Sequence, residues 1–120
     1  MTGNYRCVQK DGMIAITDAV HTDANASEDI YTWTAKLCQA LGADATDLVP
    51  FEKYANAAKG LSQPSSAAKA LANGKPAIER VDKLVKLLAD QKQMNNPIVD
   101  DIVDNVEWYL RRNNESAESA

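Results

Sequence analysis

The chain has one phenylalanine and one histidine, two cysteines, four prolines and five glycines in 120 residues. Each scarcity excludes something. With a single Phe, aliphatic residues and alanine must fill the core. One histidine rules out any metal site built on two imidazoles. His21 has no serine, cysteine or carboxylate at a catalytic spacing, so it reads as a polar surface residue. Cys7 and Cys38 form no C-x-x-C pair. They read as reduced thiols of a cytoplasmic protein. No metal site, no catalytic residue and no cofactor is expected in this chain. No stretch approaches the roughly 18 apolar residues of a membrane-spanning helix, and the N-terminus shows no basic-then-apolar leader. The expectation is therefore no membrane partner. Neither G-x-G-x-x-G nor G-x-x-x-x-G-K-[ST] occurs, so no nucleotide-phosphate loop is encoded.

What is present is an ordinary globular composition. The hydrophobic fraction is 45% and the formal net charge is −4. The acidic balance argues against nucleic acid as a partner, because such a protein needs a basic face to displace counterions. A chain of this length buries a core without disulfides or metals. One helical domain is expected over residues 1–112, with "NNESAESA", residues 113–120, as a disordered polar tail.

Along the chain, helical spacing and helix punctuation dominate. Residues 1–10 are ambiguous between strand and helix, and Asp11-Gly12 is a turn signal. Met13, Ile16 and Val20 follow a helical period that frays near His21. Asn25 with Glu28 reads as a capping box, opening a helix with Ile30, Trp33, Thr34, Leu37, Cys38 and Leu41 on one face and Gly42 as its stop. "DATDLVPFEKYANAAKG" reads as one helix with Pro50 in its first turn. Ser65 or Ser66 caps a short helix that Asn73-Gly74 ends. Pro76 then opens a helix whose inward stripe is Ile78, Val81, Leu84, Val85 and Leu88. Asn96 and Pro97 start the last helix, with Ile98, Ile102, Val106, Tyr109 and Leu110 inward. Asp100, Asp101, Asp104 and Glu107 read as solvated surface. No convincing strand pair is seen. The fold class is all-α, a compact bundle of five or six helices. Trp33, Tyr54, Trp108 and Tyr109 exceed what a small core needs and read as anchors for self-association.

The stretch "PSSAAKALANGKPAIERVDKLVKLL" followed by "NNPIVDDIV" resembles the C-terminal helical domain of the ketopantoate reductase family. "MIAITDAVHTDANASEDIYTWTAKLCQALGAD" is similar to the start of the same domain in NAD-dependent glycerol-3-phosphate dehydrogenase. Both belong to the 6-phosphogluconate-dehydrogenase C-terminal-domain-like group, and the resemblance spans about residues 5 to 110. It implies a helical substrate-side or dimerisation domain of an NAD(P)-dependent dehydrogenase. The implied partner is a second copy of the chain or a separate Rossmann-domain protein. Ser66 falls where the reductases place a substrate-contacting serine. Their acidic residue falls at Ile78, and Glu79 would point elsewhere, about 100° round a helix. Their catalytic lysine falls near Gly3, with Lys10 out of register. The Arg-Asn signature of the glycerol-3-phosphate enzymes has no match near "LSQPSS". Hydride transfer needs a bound dinucleotide, so no catalysis by this chain alone is expected. Any retained ligand site is expected at Ser66, Lys69 and Lys75, with a small carboxylate or phosphate as guest. The alternative is an unrelated helical protein–protein interaction module with an apolar groove.

Overall fold

The computed structural model describes residues 2–119, with side chains described through Ser116. A minimal antiparallel hairpin comes first: β1, Val8–Gln9, pairs with β2, Gly12–Met13, with Val8 opposite Met13. Gly12 makes the turn at φ +149°, a backbone conformation open mainly to glycine. This hairpin corrects the expectation of no strand pair, although two-residue strands leave the fold a helical bundle. Six α-helices follow among the described residues: α1 Ile16–His21, α2 Ala24–Ala40, α3 Phe51–Ala58, α4 Ser66–Ala72, α5 Val81–Gln91 and α6 Pro97–Ser119.

Local chemistry explains most of the boundaries. The carboxylate of Asp23 accepts from the Ala26 amide at 3.1 Å, so α2 starts at Ala24 and the Asn25–Glu28 capping box is not used. Gly42, at φ +109°, ends α2 as expected. The helix read across residues 44–60 divides in two. Asp44 folds a short 3-10 turn over Ala45–Asp47, and α3 begins only after Pro50. The proline ring disfavours helical geometry at Val49, which separates the two pieces. Ser65 caps α4, and Gly74 follows its end at φ +83°. Asn96 caps α6 by accepting from the Ile98 amide at 2.9 Å.

Two expectations near the C-terminus are corrected. Pro76 does not open a helix, because α5 begins at Val81. Residues 75–80 are instead held as a strap. The Asn113 carboxamide donates to the Lys75 carbonyl at 2.9 Å, and that of Asn114 donates to the Pro76 carbonyl at 3.0 Å. The same two asparagines belong to α6, which does not stop at Arg112 but runs to Ser119. The expected disordered tail is thus helix over 113–119, and Ala120 lies outside the described residues. Asn113 is buried and also donates to the Leu71 carbonyl at 3.0 Å, near the end of α4.

The core lies along α6. Tyr5, Cys7, Val8, Ala19, Ala68, Leu71, Ile102, Val106 and Tyr109 form one buried cluster. Ile30, Val99 and Val103 form a second, with Trp33 against it, and Ile98 packs on both. At about 1.5 Å per residue, α6 is about 35 Å long, most of the 50 Å long axis of the molecule.

Candidate functional site

Ser65 and Ser66 do different work. The Ser65 hydroxyl accepts from the Ala68 amide at 3.2 Å and donates to the Asn4 carbonyl, so it is spent on tying α4 to the N-terminal segment. Ser66 is exposed and lines a groove of about 680 Å³ with Lys75, Tyr5, Ile78 and Glu79. Lys69 is exposed on α4 but does not line this groove. The structure therefore brings Ser66 and Lys75 together and leaves Lys69 out.

Glu79 is the surprise of this groove. Only on a helix would it point away from the position of Ile78. Residues 76–80 are not helical, and Glu79 and Ile78 line the same groove. The Tyr5 hydroxyl fixes this stretch. It donates to the Glu79 carbonyl at 2.8 Å and accepts from the Val81 amide at 3.2 Å, serving as a remote cap for α5. Burial raises the Tyr5 pKa above the ordinary tyrosine range.

A polar cluster lies where α5 meets α6. Asp82 is 0% exposed. Arg80 grips it side-on, Nε to Oδ1 at 3.1 Å and Nη2 to Oδ2 at 3.2 Å. Arg80 Nη1 also reaches Glu107 Oε1 at 3.4 Å, and Lys83 Nζ reaches the same oxygen at 3.2 Å. Lys86 pairs with Asp100 at 3.1 Å. The hydrogen bond from Lys83, against the opposing effect of burial and helped by the charge of Arg80, holds the Glu107 carboxyl below the usual glutamate range. Two of the four acids read as free surface are thus tied into the α5–α6 seam.

The buried side of α5 is not its leucine side, and Leu87 stands at the rim of the seam, on a groove with Val103 and Glu107. Val81, Leu84 and Leu87 are 45%, 54% and 53% exposed, whereas Asp82 and Ala89 are the buried positions of this helix. The inward stripe expected from the sequence is therefore corrected: Val81 and Leu84 face out, Val85 and Leu88 are half-buried, and Ile78 sits in the strap beside the core. Leu87 belonged to no expected stripe. A signal existed in the sequence. At 100° per residue, Val81, Leu84, Val85, Leu87 and Leu88 spread over about 160° of the helix, wider than the roughly 100° arc that packing on one neighbour requires.

The other candidate residues are structural. His21 is half-buried rather than on the surface, and its Nε2 lies 2.8 Å from the Ala55 carbonyl, joining α1 to α3. The Cys7 thiol donates to the Gly3 carbonyl at 3.1 Å, and burial pushes its pKa up. Cys38 is free and half-buried at a small pocket of about 180 Å³ beside Tyr31 and Tyr54. Of the four aromatic anchors expected for self-association, Tyr109 is buried, Tyr54 is half-buried and Trp33 donates from Nε1 to the Met94 carbonyl at 3.1 Å. Trp108 alone of the four is exposed, with Arg112 over its ring at 5.6 Å. Among the described residues, no group of three or more His, Cys, Asp or Glu side chains is placed to hold a metal ion. No described helix is long and apolar enough to cross a membrane.

No protein-family model matches the chain, and neither curated proteins nor solved structures give a match.

Proposed function

We propose that this chain acts by association rather than by catalysis, as a helical interaction module that docks through the outer face of α5. The observation that carries the reading is the displacement of the leucines of α5 from the side it buries. A helix that serves only its own fold puts leucine inside and charge outside. Here the inside position is Asp82, and Leu84 and Leu87 are more than half exposed. Solvent-facing leucines grouped on one helix face mark an interaction site. The test is a pair of serine substitutions, Leu84→Ser with Leu87→Ser, assayed by urea unfolding at low micromolar protein. Stability unchanged within about 0.5 kcal/mol is expected for a free face. A loss above about 2 kcal/mol would mean the leucines are core residues, and would end the reading.

One feature favours a second reading, a substrate-side domain working beside a dinucleotide-binding protein. Ser66, Lys75 and Glu79 open onto one groove, which gives the resemblance to the ketopantoate reductases an acid, a hydroxyl and an ammonium in one place. Small oxoacids and sugar phosphates, titrated to millimolar levels, are then expected to shift the amide NMR signals of Ser65–Ala68. Amides that stay still remove this reading and leave α4 and the strap as structure only.

A further inference from the structure

The outer face of α5 has a definite charge order, and that order selects an occupant. We propose that the face is covered by α5 of a second copy of this chain, packed antiparallel across a two-fold axis. The proposal rests on the association reading above and adds the partner and its register.

Lys83 and Asp90 are seven residues apart, two helical turns, so they lie within about 20° of each other around the helix. Both are exposed, and both border the leucine ridge on the side of Leu87. Read from N- to C-terminus, this border is positive and then negative. An antiparallel partner presents its border in reverse. A partner with the same order therefore meets plus with minus at both ends, so the stripe is its own complement. An axis passing between Lys86 and Leu87 sets Lys83 opposite the partner's Asp90, and Asp90 opposite the partner's Lys83. Leu84, Leu87 and Leu88 then line the seam from both sides. A parallel two-fold pair would instead put the two borders on opposite flanks of the seam, where neither meets its complement, and would align the two helix dipoles unfavourably. Antiparallel pairing gives the isologous contact of a closed two-fold dimer, which does not propagate into fibres.

In the single chain Lys83 already reaches Glu107. In the dimer its ammonium lies between that carboxylate and the partner's Asp90, which suits a group with three donors. One helix face is a small contact, so the interface belongs to the weak class that buries less than about 1,200 Å² in total.

Sedimentation equilibrium of the full chain, run up to about 1 mM, reads the dissociation constant on the scale where weak interfaces lie. A monomer–dimer equilibrium is expected. Lys83→Asp alone and Asp90→Lys alone are each expected to weaken it about tenfold, since each removes two symmetric exposed pairs and adds like-charge contacts. The double variant K83D/D90K restores the complement and is expected to return to within about threefold of the wild type. Far-UV circular dichroism of each variant checks that the helices are kept. Three results overturn the proposal: a wild-type chain that stays monomeric at the highest concentration, single variants that dimerise like the wild type, or a double variant no better than either single. If the chain is monomeric and the Leu84→Ser, Leu87→Ser variant keeps its stability, self-pairing is lost and the association reading stands. If that serine variant unfolds, both are lost.

Discussion

Helices α5 and α6 lie against each other and follow opposite plans. The second of them buries Val99, Ile102, Val103, Val106 and Tyr109 and shows Asp101, Asp104, Arg111 and Arg112 to solvent. Its apolar stripe coincides with its buried side, which is how a helix serves its own core. The first buries Asp82 and Ala89 and exposes Val81, Leu84 and Leu87. Fold and apolar pattern part company in α5, whereas on α6 the exposed large apolar residue is Trp108. The Arg80–Asp82–Glu107–Lys83 cluster makes this tolerable, because Arg80 and Lys83 both reach Glu107 and so fasten α5 to α6 through charged side chains. The helix is thereby held in place while Val81, Leu84 and Leu87 stay in solvent.

The largest expected effect breaks that fastening. Asp82 is fully buried, and both of its oxygens are held by Arg80. Arg80→Ala leaves a buried carboxylate without its cation, at an expected cost of about 3–5 kcal/mol in urea unfolding. The double variant R80A/D82L removes the stranded charge as well and is expected to recover most of the loss. Recovery would show that the loss comes from the stranded Asp82 charge rather than from the missing Arg80–Glu107 link. A loss below about 1 kcal/mol for Arg80→Ala is the size of an ordinary exposed pair, and would mean that something else holds α5 down.

A second, smaller effect tests the far end of α6. Asn113 is buried and its carboxamide donates to the carbonyls of Leu71 and Lys75, while Asn114 holds Pro76. Asn113→Ala leaves two carbonyls without that donor and is expected to cost about 1–2 kcal/mol. Because Lys75 begins the strap that carries Ile78 and Glu79, the same change should also broaden the amide signals of residues 76–80. A variant as stable as the wild type would return residues 113–119 to the status of a tail.

Much of the fold was legible in the sequence, and the failures have physical causes. Signals read within a few residues mostly held: Gly42 and Gly74 after their helices, Ser65 and Asn96 as caps, and the inward stripe of α6 from Ile98 to Leu110. Signals that depended on distant partners did not. Pro76 has the look of a helix start, but Asn113 and Asn114, 38 residues on, hold that stretch as a non-helical strap. The polar tail looked disordered because its composition says nothing of the strap it grips. Periodicity found α5, but it assumes that leucine marks the inner side. Only the Arg80–Asp82 contact reveals that a carboxylate took that side. The groove is half legible: of the expected site residues Ser66 and Lys75 share it and Lys69 does not, and Glu79 joins it because residues 76–80 are not the helix that Pro76 suggests.

The smallest expected effect is one of pH, and it concerns the outer edge of the fastening. The Glu107 carboxyl is held below its ordinary range, chiefly by the hydrogen bond from Lys83 and then, against burial, by the charge of Arg80. A carboxyl with a lowered folded-state pKa contributes stability that is fully present above its unfolded value, near 4.3. That contribution is lost as pH falls through the lower folded value. The Glu107 side chain is 39% exposed, so solvent screens the pair and the contribution stays under about 1 kcal/mol. Other carboxylates titrate in the same window, Asp44 among them, whose pKa is lowered by hydrogen bonds from Thr46. The useful quantity is therefore the difference between the wild type and Glu107→Gln, in which these shared contributions cancel. That difference should be positive at pH 7, shrink below about pH 4, and shrink also in about 1 M salt, where the screening length is near 3 Å. A difference that does not change with pH or salt would mean that Glu107 contributes by packing alone. The polar fastening of α5 to α6 would then rest on the Lys86–Asp100 pair, and Lys83 would be free to serve the outer face.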